Sequence, residues 1–196
     1  NRPIFPTTGF SHRVNGEIAL PGSDVEYQKL TYDAQAYFPL GKNFVVRGYG
    51  KLGYGNDLPF YKNFYAGGFG SVRGYENSTL GPKYPGVTYN ESRTRDTDPE
   101  EVGGNALVQF GAELALPVPF KGDWARQVRP VLFAEGAQVF DTQCDVPSGN
   151  LYLNGRNDPG VSAKQYCKDN FGFELDNMRY SVGAGFTWIT MIGPLS

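Results

Sequence analysis

The chain has 196 residues and a formal net charge of −2, and its 18 basic against 20 acidic residues leave no surplus for binding nucleic acid. Its 26 glycines, 13 tyrosines and 14 phenylalanines are typical of an all-β chain with many turns and exclude a disordered one. No apolar run approaches the roughly 18 residues of a membrane-spanning helix, which excludes a helical membrane protein but not a β-barrel built from alternating strands.

Six segments alternate apolar and polar side chains, which is the pattern of strands with one apolar face. In chain order the predicted strands cover 13–20, 28–38, 44–54, 105–116, 127–141 and 178–189. In 28–38, for example, Leu30 and Phe38 share one face, whereas Lys29 and Asp33 lie on the other. Most of these segments are longer than an ordinary strand of five or six residues and match the roughly 9–11 residues that cross a bilayer.

The polar faces of these strands carry charges near mid-strand, and the apolar faces carry aromatic residues near their ends. Arg47, Glu113 and Glu135 are among the charges, and Tyr54 and Trp188 are among the aromatic residues. In a soluble sandwich the charged faces would meet water, and this remains an alternative. In an outer-membrane barrel the apolar faces meet lipid and aromatic girdles lie at both interfaces. We therefore predict an all-β fold, an antiparallel transmembrane β-barrel segment of about six strands in contact with outer-membrane lipid.

The connections between the strands differ greatly in length. Those at about 56–104 and 142–177 far exceed ordinary loops, whereas 21–26 and 39–43 are short. Bacterial barrels place long loops outside the cell and short turns in the periplasm. Because the two short connections are consecutive, they lie at opposite ends, so one external loop must be short. We expect residues 1–196 to form one partial barrel domain with two long extracellular loops.

The chain has two cysteines, Cys144 and Cys167, in a polar segment rich in Gly, Asn, Asp and Pro. Such a pair predicts a disulfide and an oxidising compartment, with two free thiols as the alternative. The single histidine, His12, is distant in sequence, so we expect no metal site. The sequence shows no nucleophile–base constellation, because this one histidine lies at the start of a strand, so we expect no catalytic residue, no cofactor and no enzyme activity.

The first long connection contains a glycine-rich segment that ends in Val72, Arg73, Gly74 and Tyr75. It lacks the lysine-bearing P-loop pattern, and Arg73 stands where Gly-x-Gly-x-x-Gly requires its last glycine, so we do not expect a phosphate site. Glycines permit close approach of the backbone, and Arg73 offers a donor fork that suits carboxylates. These features predict a folded-back, packed loop.

This segment resembles the conserved loop of the BamA family of outer-membrane protein assembly factors, also called the D15 surface antigen family. The resemblance centres on the Val-Arg-Gly-Tyr motif at 72–75 and continues through 64–68 and 77–82. Further similar segments are 22–27, 53–55, 103–106, 117–120, 181–185 and 193–195. The resemblance therefore extends over essentially the whole chain.

The resemblance implies a sixteen-stranded barrel of the bacterial outer membrane, in which this chain would supply strands nine to fourteen. It implies that the protein inserts client β-barrel proteins, with accessory lipoproteins bound through periplasmic domains outside this chain. A two-partner secretion transporter shares the loop and is the first alternative, and a soluble all-β binding module is the second.

The resemblance also implies a role for the loop arginine. Arg73 would fold into the barrel lumen, where Glu113, Phe133 and Glu135 are its expected docking partners. The family more often has Asp at the position of Glu135, so the contact here is expected to differ in reach. Both carboxylates belong to the polar strand faces defined by the alternation, which agrees with a position in the lumen.

Overall fold

The computed structural model describes residues 6–20, 22, 25–41, 43–84, 100–118, 127–144, 150–153, 156–162, 167–169, 171–190 and 193–195. Within them the strands are β1 (Gly9–Ile18), β2 (Gln28–Leu40), β3 (Phe44–Asn56), β4 (Lys83–Tyr84), β5 (Glu100–Glu101), β6 (Ala106–Ala115), β7 (Val128–Phe140), β8 (Asn150–Leu153), β9 (Arg156–Ser162), β10 (Arg179–Thr190) and β11 (Gly193–Leu195). Among these residues no helix has the length and apolarity needed to cross a membrane.

The six long strands form one antiparallel sheet in the order β1-β2-β3-β6-β7-β10, to which β11 adds a short seventh strand. All six predicted strands are confirmed, but β1 begins and ends earlier than the predicted 13–20. Its apolar face continues back to Phe10, and at its other end the Ala19 N–H donates to the Tyr27 carbonyl at 2.9 Å, closing the turn. Two ribbons, β4-β5 and β8-β9, lie in the long connections and were not predicted.

The sheet has an outer face that is apolar and exposed. Residues paired across antiparallel strands share a face, and one such row runs across Phe38, Val46, Leu114, Leu132 and Ala184. Exposed apolar residues on this face are Phe10, Val14, Ile18, Leu30, Phe38, Leu52, Tyr54, Phe110, Leu132, Tyr180, Val182, Phe186 and Trp188. Val182, for instance, is 81% exposed. No second layer of described residues covers these side chains, so the face is suited to lipid rather than to the core of a sandwich.

The opposite, inner face carries the charged residues and packs against part of the first long connection. We call residues 58–84 the docking loop. Its buried side chains form one apolar cluster with the inner face of β6 and β7: Phe64, Ala66, Val72, Leu80, Leu107, Ala137 and Val139. Gly53 of β3 makes room for this cluster, because a Cβ there would lie 2.5 Å from a ring carbon of Phe64. The core of the chain therefore lies between the sheet and its own loop.

Candidate functional site

The tip of the docking loop is a tight turn that presents Arg73 to the sheet. The Ser71 N–H donates to the Gly68 carbonyl and the Gly68 N–H to the Val72 carbonyl, both at 3.1 Å. Val72 is fully buried in the apolar cluster and fixes the depth of the turn. Gly74 follows with φ at +90°, a conformation that side chains with a Cβ rarely adopt. These features account for three of the four motif residues.

Strand register assembles the wall that receives the arginine. One row of the inner face brings Glu113 between Arg47 and Phe133. The next row brings Gly111 between Tyr49 and Glu135. Because residues two apart on a strand share a face, Glu113 and Glu135 lie on adjacent rows and leave a gap that one guanidinium fills.

Arg73 docks on both carboxylates. Its Nε donates to Glu135 Oε1 at 2.9 Å and its Nη2 to the same oxygen at 2.5 Å, while its backbone N–H donates to Glu135 Oε2 at 3.0 Å. The same Nη2 donates to Glu113 Oε1 at 2.7 Å. The Glu135 side chain is only 3% exposed and that of Glu113 17%. The structure thus brings together the predicted Arg73, Glu113 and Glu135.

The predicted Phe133 completes the cage around the guanidinium. The Arg73 guanidinium carbon lies 3.6 Å from the centroid of the Phe133 ring, which is a close cation–π contact. Arg47 Nη1 donates to the second oxygen of Glu113 at 3.0 Å. Two arginines therefore face two carboxylates, and the cluster carries no net charge. Because each charge has an opposite charge beside it, the attraction between them offsets the free energy of removing them from water.

The protonation state of Arg73 follows from these contacts. Partial burial alone would lower the pKa of its guanidinium, but the hydrogen bonds to Glu135 and Glu113 raise that pKa above its ordinary value. Arg73 is therefore a cation near neutral pH.

Other groups join the site that the sequence did not single out. Ser71 Oγ donates to Gln109 at 3.2 Å, and Gln109 Nε2 donates to the Gly70 carbonyl at 3.3 Å. The Tyr49 hydroxyl donates to Glu135. Arg47, Tyr49 and Gln109 all lie on the polar strand faces, so the sequence could predict that they point to the interior. It could not predict that they meet Arg73 and its partners, because that depends on the strand register.

Tyr75, the last motif residue, lies apart from the arginine. It packs partly buried against the apolar cluster, and its hydroxyl donates to the Tyr180 carbonyl at 3.3 Å. It therefore ties the docking loop to β10, one strand beyond the strand that holds Glu135.

The start of the docking loop has a second attachment, near the connection between β1 and β2. We call it the rim contact: Lys62 donates to the carboxylate of Glu17, which also accepts from the Tyr27 hydroxyl. Lys29 of β2 donates to the Lys62 carbonyl at 2.6 Å and lies 4.2 Å from the centroid of the Phe64 ring. The loop is thus attached from β1 across to β10.

Cys144 and Cys167 form a disulfide at the long-loop end, where both sulfurs are buried. Asp141 orders the turn, accepting the backbone N–H of Cys144 at 3.1 Å. Asp141 lies beside both sulfurs, but sulfurs joined to each other offer no thiolates to a metal. The second long connection also covers the end of β7, where Gln138 donates to the Gly172 carbonyl at 3.2 Å.

Comparison with known proteins connects this site to a family. The Omp85 superfamily domain matches residues 1–196. The chain belongs to the Omp85 superfamily. It is similar to the outer membrane protein assembly factor BamA of Neisseria meningitidis serogroup B, with 39% identity over 98% of this chain and 23% of that protein. It is also similar to the sorting and assembly machinery component 50 homolog of Mus musculus, with 29% identity over 94% of this chain and 34% of that protein.

The fold agrees with a solved member of the superfamily. The crystal structure of BamA from Haemophilus ducreyi lacking POTRA domains 1–3 matches 99% of this Omp85 chain and 35% of its own, with a TM-score of 0.73 and 30% identity. The chain therefore spans between about a quarter and a third of the relatives it matches. These matches confirm the predicted family, the all-β fold and the outer-membrane location, and they exclude the soluble module.

Proposed function

We propose that the protein containing this chain is an assembly factor that folds and inserts client β-barrel proteins into the bacterial outer membrane. Its partners would be those clients and accessory lipoproteins bound through domains outside this chain. Two relatives support the proposal, because one is named an outer membrane protein assembly factor and the other a component of a sorting and assembly machinery. Those names favour assembly over two-partner secretion, which remains the competing prediction.

We propose further that the Val-Arg-Gly-Tyr loop serves this function by holding the inner wall in one shape. The carrying observation is the contact of Arg73 with Glu135 through three hydrogen bonds, together with one to Glu113. The connection that begins at the end of β3 is thereby fastened to β6 and β7. A wall fixed in this way resists twisting while other parts of the barrel open to receive a client. Loss of the contact leaves the buried Glu135 carboxylate without its cation and Glu113 with Arg47 alone, which is strongly destabilising.

The decisive experiment uses the full-length protein, reconstituted in lipid vesicles with its accessory lipoproteins. We expect Arg73→Ala to reduce the rate of client insertion by about tenfold or more, since the loss of one partner of a buried ion pair is strongly destabilising. Arg73→Lys should recover part of the rate, because an ammonium supplies charge without the guanidinium fork. Insertion is measured on gels, where the folded client in an unheated sample migrates differently from the client unfolded by heating.

Arg13→Ala is the matched control, because Arg13 lies on the inner face of β1 and makes no ion pair among the described residues. Unchanged insertion by Arg73→Ala, in vesicles where Arg13→Ala is also unchanged, would refute the proposed role of the loop. Export of a soluble partner protein without any insertion of barrels would instead identify a secretion transporter.

A further inference from the structure

We propose that Tyr49 is a positioning residue for loop docking, and that Gly111 is small because the Tyr49 side chain must cross it. The inference deepens the proposed function of the docking loop and rests on it. It concerns two residues on neighbouring strands, β3 and β6.

The geometry places the phenol on the most buried carboxylate of the site. Tyr49 lies on β3 and Glu135 on β7, and they are separated by β6, whose residue in that row is Gly111. A Cβ on Gly111 would collide with the Tyr49 ring and its hydroxyl oxygen. Only a residue without a side chain leaves the ring free to lie across the middle strand and donate to Glu135.

The hydroxyl shares the Glu135 oxygen that also accepts Nε and Nη2 of Arg73. A carboxylate fixed on one side by a donor on a rigid ring cannot rotate away from the arginine that approaches on the other. The Arg47 guanidinium stacks at 4.5 Å from the centroid of the Tyr49 ring and holds that ring in place. Tyr49 therefore prepares Glu135 before the loop arrives, which lowers the cost of ordering the site on docking.

The test measures docking directly in the full-length protein. Ser71→Cys and Gln109→Cys replace two side chains in contact, and a short bismethanethiosulfonate reagent joins them when the loop is docked. We expect Tyr49→Phe to lower the rate of cross-linking by roughly tenfold, the effect of losing a hydrogen bond to a charged group. Tyr37→Phe is the matched control, because Tyr37 lies on the inner face of β2 and its hydroxyl donates to Gln35 at 3.5 Å rather than to Glu113 or Glu135.

Two comparisons separate positioning from general damage. In a Glu135→Gln background, Tyr49→Phe should cause no further loss of cross-linking, since its effect passes through the Glu135 charge. Gly111→Ala should reproduce the loss, whereas Gly48→Ala, where a Cβ meets no atom within 4 Å, should not. A Tyr49→Phe protein that cross-links like Tyr37→Phe, or that loses as much in the Glu135→Gln background as in the parent, would overturn the proposal.

Client insertion by Tyr49→Phe is measured in the same samples. Slower cross-linking with slower insertion supports both the positioning role and the proposed function of the loop. Slower cross-linking with unchanged insertion supports the role of Tyr49 and counts against that function.

Discussion

Two ionic contacts attach the same loop to the same sheet, and they differ in how much water reaches them. At the inner contact the side chains of Arg73, Glu113 and Glu135 are 20%, 17% and 3% exposed. At the rim contact those of Lys62 and Glu17 are 34% and 46% exposed. Water and salt screen exposed pairs, whereas a shielded pair keeps its attraction but leaves a costly charge behind when one partner is removed. We conclude that the inner contact anchors the loop and the rim contact only guides its start.

The sharpest way to break this comparison is to remove a carboxylate from the inner contact. Glu135→Ala should cost roughly 3–5 kcal/mol of unfolding free energy, because Arg73 loses its most buried partner. Glu113→Ala should cost less, about 1–3 kcal/mol, since Arg73 keeps Glu135. Urea titration of the full-length protein in vesicles measures both. Asp33→Ala is the control, an inner-face carboxylate of β2 without an ion pair among the described residues, and an equal loss there would contradict the ranking.

The apolar contact between the two ionic ones can be disturbed at Gly53. A methyl group there would meet the Phe64 ring at 2.5 Å, so Gly53→Ala should destabilise loop packing by about 1–3 kcal/mol, the usual cost of overfilling a packed site. Gly16→Ala adds the same group to β1, where no atom lies within 4 Å. The same urea titration compares them, and equal stability of the two variants would show that Phe64 moves aside freely.

The ring beneath the guanidinium is the next largest contribution. Phe133→Leu keeps an apolar side chain but removes the cation–π contact with Arg73, and should cost about 0.5–2 kcal/mol. Removing Arg73 first should abolish that cost, so the double variant Arg73→Ala with Phe133→Leu tests the pairing. If Phe133→Leu lowers the free energy of unfolding by the same amount in the Arg73→Ala background, the effect comes from packing and not from the cation–π contact.

The rim contact should have the smallest effect of the four. In 1 M salt, where the Debye length is about 3 Å, Lys62→Met should leave the free energy of unfolding unchanged within error. At low salt it should lower that free energy only slightly. Loss of stability from Lys62→Met that is independent of salt would contradict the proposed difference between the two contacts.

The pH dependence of the rim contact has a definite sign. The hydrogen bonds to Glu17 and Tyr27 raise the pKa of Lys62 to about 12. A raised lysine pKa means that the contact contributes fully below the ordinary lysine pKa and is lost as the pH rises through about 12. Near neutral pH Lys62 is fully protonated, so the rim contact should not change with pH there. Cross-linking of the loop start to β1, measured up to pH 11, should begin to fall only in the upper part of that range.

The strands could be predicted because alternation is a local property. Alternate residues of a strand face lipid and the interior, and residues 28–38 of β2 alternate in polarity accordingly. The ribbons β4-β5 and β8-β9 were missed because they are only two to seven residues long, too short for a clear period. The extra residues of β1 were missed because His12, a polar residue, lies on its apolar face between Phe10 and Val14.

The candidate site was predicted less completely than the strands. Arg73 was found from its motif, and its partners Glu113, Phe133 and Glu135 from the resemblance to a family. The alternation agreed, because it placed both carboxylates on the polar faces. Arg47 was known to share that face, but its contact with Glu113, 66 residues away, depends on register. Tyr49 was overlooked because its partner lies 86 residues away, across an intervening strand.

The amino-acid sequence by itself determined which side chains meet hydrocarbon, which meet the interior, and that a glycine-rich loop carries a cation. Those properties follow from the solubility of each side chain and from a period of two residues. Only the tertiary structure decided that Arg73 lies between Glu113 and Glu135, and that the Tyr49 ring crosses Gly111. The register of hydrogen bonding between strands brings these residues into contact, and that register cannot be inferred from their separation along the chain.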